Sequence, residues 1–90
     1  MAISVLFTPP SMTAAQYDEA IRRLDASGAF ALRGMLHHTC FGSGNKLSVH
    51  DVWESQAKFE AFGQKLMPIL VAVGIDPGTP AIQPVHKIMP

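Results

Sequence analysis

Between Lys46 and Phe62 the sequence KLSVHDVWESQAKFEAF passes from strand patterning to helix patterning within one residue. Up to Glu54 the side chains alternate and are rich in valine and aromatic groups. From Ser55 onward Phe59, Phe62 and Leu66 recur at helical spacing. Ser55 is a good N-cap, because its hydroxyl can take one of the unsatisfied amide protons of the first turn. The run holds His50, Asp51, Trp53, Phe59 and Phe62, the most polarising and bulkiest groups of the chain, so the other segments must pair with it or cover it.

Upstream, Ala2 to Thr8 is short, β-branched and apolar, and Pro9-Pro10 stops it as a first strand. Thr13 and Gln16 form a capping box, and Met12 before the cap can pack on Tyr17 as a hydrophobic staple. Tyr17, Ala20, Ile21 and Leu24 make one apolar stripe, which predicts a helix from Ala14 to Ser27 ended by Gly28. Ala31 to Phe41 reads as a second strand. Gly42-Ser43-Gly44-Asn45 then signals a hairpin into a third, from Lys46 to Glu54.

A two- or four-residue loop would pair Phe41 with Lys46, His37 with His50 and Leu36 with Asp51. One face would then carry Leu32, Leu36, His38, Cys40, Leu47, Val49, Asp51 and Trp53, and the other Arg33, Met35, His37, Thr39, Phe41, Ser48, His50 and Val52. A three-residue loop would exchange the histidines between faces. After Ser55 the apolar side of a second helix runs through Val73. Pro68 predicts a kink or a fresh start within it, and Gly74 its end. Ala81 to Met89 reads as a last strand, with Pro84 at an edge or bulge.

Strand, helix, strand, strand, helix, strand is the ferredoxin-like βαββαβ order: an α+β fold with a four-stranded antiparallel sheet and two helices on one face. Nothing in the chain covers the other face. Ninety residues form one domain, 1–90, of a size that buries only about 60 to 65% of its unfolded surface. With 48% hydrophobic and 16% charged residues, against about 25% charged in ordinary soluble domains, a homodimer packing sheet on sheet is expected.

Seven basic residues balance seven acidic ones without a basic run, so no nucleic-acid or anionic-membrane partner is expected. No stretch is long and apolar enough for a membrane span, and the first residues lack signal-peptide patterning. The single Cys40 rules out an internal disulfide and fits a reducing compartment, so the location expected is cytoplasmic.

The run Val-His-Asp-Val-Trp-Glu-Ser, followed by Phe59 and Phe62, then Leu66-Met67-Pro68, Gly74-Ile75 and Pro84-Val85-His86, resembles the dimeric α+β barrel superfamily. The similarity is to its small, mostly uncharacterised members related to the antibiotic biosynthesis monooxygenases. It implies a homodimer whose two sheets form a barrel, with one small pocket per subunit. Activities in the superfamily include cofactor-independent oxygenation of polycyclic aromatics, haem degradation, lactone isomerisation and peroxidase chemistry. In its oxygenases a tryptophan near the end of the third strand lines the pocket, and Trp53 matches that position.

Among the residues themselves, Asp51 is the diagnostic group, since a carboxylate on an apolar strand face is costly unless paired or neutral. His38 is its diagonal neighbour in the register above, and an aspartate oriented on a histidine is what a general base needs. His38 and Asp51 are thus the candidate catalytic pair. Trp53, Phe59, Phe62, Tyr17 and His86 are the candidate pocket residues, with core packing the plain alternative for Trp53 and the staple for Tyr17. His37, His50 and His86 could supply three nitrogens only if that register held; no metal and no cofactor is expected. Three functions compete: a cofactor-independent, monooxygenase-like enzyme for a small aromatic or hydrophobic molecule; a non-catalytic small-molecule-binding or stress-related dimeric module; and a dimer with a filled interior and no ligand.

Overall fold

A computed structural model describes residues 1–89. Its elements are β1 (Ile3–Phe7), α1 (Ala14–Ala26), β2 (Met35–Phe41), β3 (Ser48–Trp53), α2 (Gln56–Ala72) and β4 (Ala81–Pro84), with a 3-10 turn at Ala29–Ala31. The sheet is antiparallel in the order β2-β3-β1-β4. The βαββαβ order with four antiparallel strands and two helices is as the sequence predicts. The barrel is not: β2 and β4 are free edges, and the open sheet does not close on itself. The expected closure into an α+β barrel is corrected accordingly.

Both helices lie on the face formed by Ile3, Val5, Phe7 and Trp53, where Leu24 of α1 and Phe62 of α2 complete the buried cluster. Entry into α1 follows the capping chemistry. The Thr13 amide donates to Gln16 Oε1 and the Gln16 amide to Thr13 Oγ1. The end of α2 is a Schellman motif built on Gly74 at φ 79°: the Ile75 amide donates to the Leu70 carbonyl and the Gly74 amide to the Val71 carbonyl. Gln16 Nε2 also donates to the carbonyls of Val73 and Gly74, so the cap of α1 serves the end of α2. Pro68 does not break α2. Leu66, Ile69 and Leu70 on either side are packed into the core, and that burial outweighs the backbone bond a proline cannot make.

The hairpin differs from expectation. Phe41 pairs with Ser48 rather than Lys46, His38 with Asp51, and Thr39 with His50. Residues 42–47 form a longer connection held by the first loop: the Met12 amide donates to the Asn45 carbonyl and the Leu47 amide to the Met12 carbonyl. Lys46 Nζ adds a bond to the Pro10 carbonyl. The pairing is displaced by two residues, so parity survives and each histidine keeps its expected face. An irregularity between Met35 and His37 breaks that parity upstream. Met35 opposes Trp53 and packs on the core, while Leu36 is 53% exposed and Leu32 is also exposed. The second strand therefore begins at Met35, not at Ala31.

The face away from the helices carries Ser4, His37, Thr39, Phe41, His50 and Val52. Ser4 Oγ lies 2.6 Å from His50 Nε2 and Thr39 Oγ1 2.6 Å from His37 Nε2. Among the described residues no helix is long and apolar enough to cross a membrane.

Candidate functional site

The sheet and the two helices enclose a partly open cavity of about 60 Å³. Its wall is almost wholly apolar. Phe7, Ile21, Leu24, Met35, Phe62 and Leu70 contribute to it, and the polar atoms come from Tyr17, His38 and Asp51.

Those three side chains are bonded to one another. Asp51 is a β3 residue only 3% exposed, and its Oδ1 lies 2.5 Å from His38 Nδ1 on the facing strand. A carboxylate only accepts, so Nδ1 carries the proton and donates to Asp51. In the neutral imidazole this leaves Nε2 as an acceptor. The Tyr17 hydroxyl of α1, 2.5 Å from Nε2, donates to it. The two rings are 14° from parallel with centroids 5.9 Å apart. The rings are thus nearly parallel and meet through the hydroxyl and the ring nitrogen.

Local structure explains the convergence. The staple places Tyr17 at the fourth residue of α1 facing the sheet, and Met12 and Tyr17 pack in one cluster with Leu70 and Ile75. The two-residue displacement of the hairpin brings His38 directly opposite Asp51 instead of diagonal to it. Burial pushes the Tyr17 hydroxyl above its ordinary pKa of 10.0, and the nearby ionisable groups of Cys40, Asp51 and Asp18 add to this. Burial likewise raises the Cys40 thiol, with a further contribution from Asp18. Neither group is a ready anion.

Of the other candidate residues, Phe62 alone lines this cavity. Trp53 is fully buried, with its ring centroid 5.0 Å from that of Phe62 and 6.0 Å from that of Phe59, and is not part of the cavity wall. Its Nε1 has no hydrogen-bond partner among the described residues. Phe62 reaches the cavity, whereas Phe59 lines a separate open groove with Met67, Pro68 and Pro80. His86 is exposed beyond β4 and lines neither. His37 opposes Val52, not His50, although the two imidazole centroids are 6.3 Å apart. Among the described residues no three His, Cys, Asp or Glu side chains gather as metal ligands. Strict alternation puts Met35 on the face away from the helices, and that expectation is corrected: the irregularity before His37 turns it onto the core face opposite Trp53. Alternation also gives no sign of the bond from Tyr17 to His38. The stripe shared by Tyr17, Ala20, Ile21 and Leu24 was the available signal for the latter, since all four line the cavity.

The fold and this site define a ferredoxin-like α+β protein with a tyrosine-histidine-aspartate chain facing an apolar cavity between sheet and helices. No protein-family model matches the chain, and no curated protein is similar in sequence. Solved structures with the same fold include a mutant form of SnoaB, a cofactor-independent oxygenase from Streptomyces nogalater. It has a TM-score of 0.69 at 14% identity, over 99% of this chain and 97% of that one. A protein of Caulobacter crescentus CB15, provisionally named an antibiotic biosynthesis monooxygenase, has a TM-score of 0.65 at 19% identity, over 98% and 91%. A provisionally named monooxygenase from Shewanella loihica PV-4 has a TM-score of 0.56 at 24% identity, over 98% and 99%. What these likenesses establish is the shared fold. The resemblance drawn from the sequence is corrected in one respect, because the closed barrel by which that superfamily is known is absent from this open sheet.

Proposed function

We propose that this chain is a cofactor-independent, monooxygenase-like enzyme for a small aromatic or hydrophobic molecule, working as a homodimer in the cytoplasm. The observation that carries the reading is the Asp51–His38–Tyr17 chain, buried at its Asp51 end, at the wall of an otherwise apolar cavity. Asp51 holds the His38 tautomer and stabilises the imidazolium formed when a proton is taken. Because Tyr17 occupies Nε2, an acidic C–H or O–H of the substrate passes its proton to the Tyr17 oxygen as the tyrosine's own proton moves to His38. The apolar wall favours the delocalised, electron-rich anion over a hydrated one. Dioxygen attacks that anion to give a hydroperoxide, and at a CH₂ centre collapse of the hydroperoxide to C=O releases water, so both oxygen atoms are accounted for. The oxygenase description of SnoaB, a protein of the same fold, supports this choice of reaction.

The size of the cavity favours a second reading. About 60 Å³ is well below the roughly 150 Å³ that holds benzene in an engineered apolar cavity, and its polar groups are already bonded to each other. A non-catalytic module binding a smaller hydrophobic molecule fits those two facts. Substitution of His38 by Ala separates the readings. It should lower turnover of any oxygenated compound by at least about a hundredfold while binding, and the dimer seen by sedimentation, persist. Unchanged turnover removes the general-base role, and sedimentation as a monomer removes the dimer.

A further inference from the structure

Tyr17 is the sole tyrosine of the chain, and its surroundings suit more than a proton relay. We propose that Tyr17 is redox-active: it gives up one electron to a small organic radical entering the cavity while its phenolic proton moves to His38 Nε2. This goes beyond the oxygenase reading and stands without it.

Three observations carry the inference. First, the Tyr17 hydroxyl lies 2.5 Å from Nε2 with the rings 14° from parallel. The phenolic proton therefore has a direct path to the imidazole Nε2 while the electron leaves the phenol. Second, His38 is backed by Asp51, 2.5 Å from Nδ1 and 3% exposed. Before oxidation the three groups carry one negative charge, that of Asp51. Between electron loss and the return of the proton to the reduced radical they hold a neutral tyrosyl radical, an imidazolium and a carboxylate, with no net charge. Loss of an electron thus removes an unbalanced buried charge, which a low-dielectric site favours. Third, the cavity wall around the phenol is apolar, which limits reaction of a tyrosyl radical with water. Burial also disfavours a standing phenolate, so the electron leaves together with proton transfer and not from a preformed anion.

The step balances. An organic radical R• takes the electron and becomes R⁻; the Tyr17 proton resides on His38; return of a proton from the imidazolium to R⁻ yields R–H and leaves the tyrosyl radical beside neutral His38. The net reaction is hydrogen-atom donation by Tyr17.

Photo-oxidation of the full chain with tris-bipyridine ruthenium and persulfate tests this without any substrate. Electron paramagnetic resonance of the wild type should show a neutral tyrosyl radical that is missing from Tyr17→Phe. In His38→Gln its yield should fall about tenfold. In the wild type, its formation should slow in D₂O, a readout that needs no variant to fold. A tryptophan radical on Trp53 in place of the tyrosyl signal, equal yields in the wild type and His38→Gln, or no solvent isotope effect would overturn the proposal. Failure here leaves the general-base reading untouched, and an inactive His38→Ala enzyme leaves this one untouched.

Discussion

Among the described residues, Asp51 is the charged side chain whose burial most requires a partner. It is the one charged side chain in the buried set among the described residues, on a strand face shared with Val49 and Trp53, where an unpaired carboxylate would be costly. His38 meets that demand with one bond, and the pair is coupled to Tyr17 with a second. Replacing Asp51 by Ala removes the acceptor and leaves the Nδ1 proton of His38 facing an apolar wall. The expected loss is about 1–3 kcal/mol, toward the lower end because the His38 side chain is 28% exposed. Urea denaturation reads this directly, and a midpoint equal to the wild type would mean that the pair contributes nothing to folding. The need of Asp51 for a partner was legible in the sequence, as alternation alone puts it on an apolar face. The identity of His38 as one neighbour was legible too, but the direct bond was not, because it depends on where the hairpin turns.

That turn belongs to the scale of elements. The glycines at 42 and 44 announce a hairpin, yet the length of the connection is set by a contact remote in sequence, the bridge between Met12 and Lys46. Gly42, at φ 116°, is the residue the register hangs on: a Cβ there would lie 2.6 Å from the Lys46 carbonyl oxygen. Gly42→Ala should therefore destabilise the protein by about 1–3 kcal/mol and weaken the pairing of β2 with β3. Hydrogen exchange at the Thr39 and Phe41 amides would report it, and unaltered protection would show that the loop tolerates the strain. The same tertiary control explains the other departures. Capping residues are local, so both helix starts were readable from Thr13, Gln16 and Ser55. The irregularity at Leu36 and the persistence of α2 through Pro68 depend on packing against Trp53 and the β1 face, which no local pattern encodes.

For the whole molecule, the order of elements was the most legible property, since the ferredoxin-like arrangement follows from six alternating segments and short connections. Closure was the least legible. An open sheet leaves β2 and β4 as edges, and whether another surface meets them is not written in the periodicity of either strand. The layered arrangement nonetheless accounts for the site: Tyr17 comes from a helix, His38 and Asp51 from adjacent strands, and only their packing into one core produces a proton path across the sheet-helix gap. That path is the central claim, and nitrogen-resolved NMR of the histidine rings tests it most directly. In neutral His38 the proton should reside on Nδ1, far downfield and protected from exchange, and should lose that shift in Asp51→Ala, while Nε2 responds to Tyr17→Phe. A neutral His38 protonated on Nε2, or a ring indifferent to both substitutions, would contradict the account.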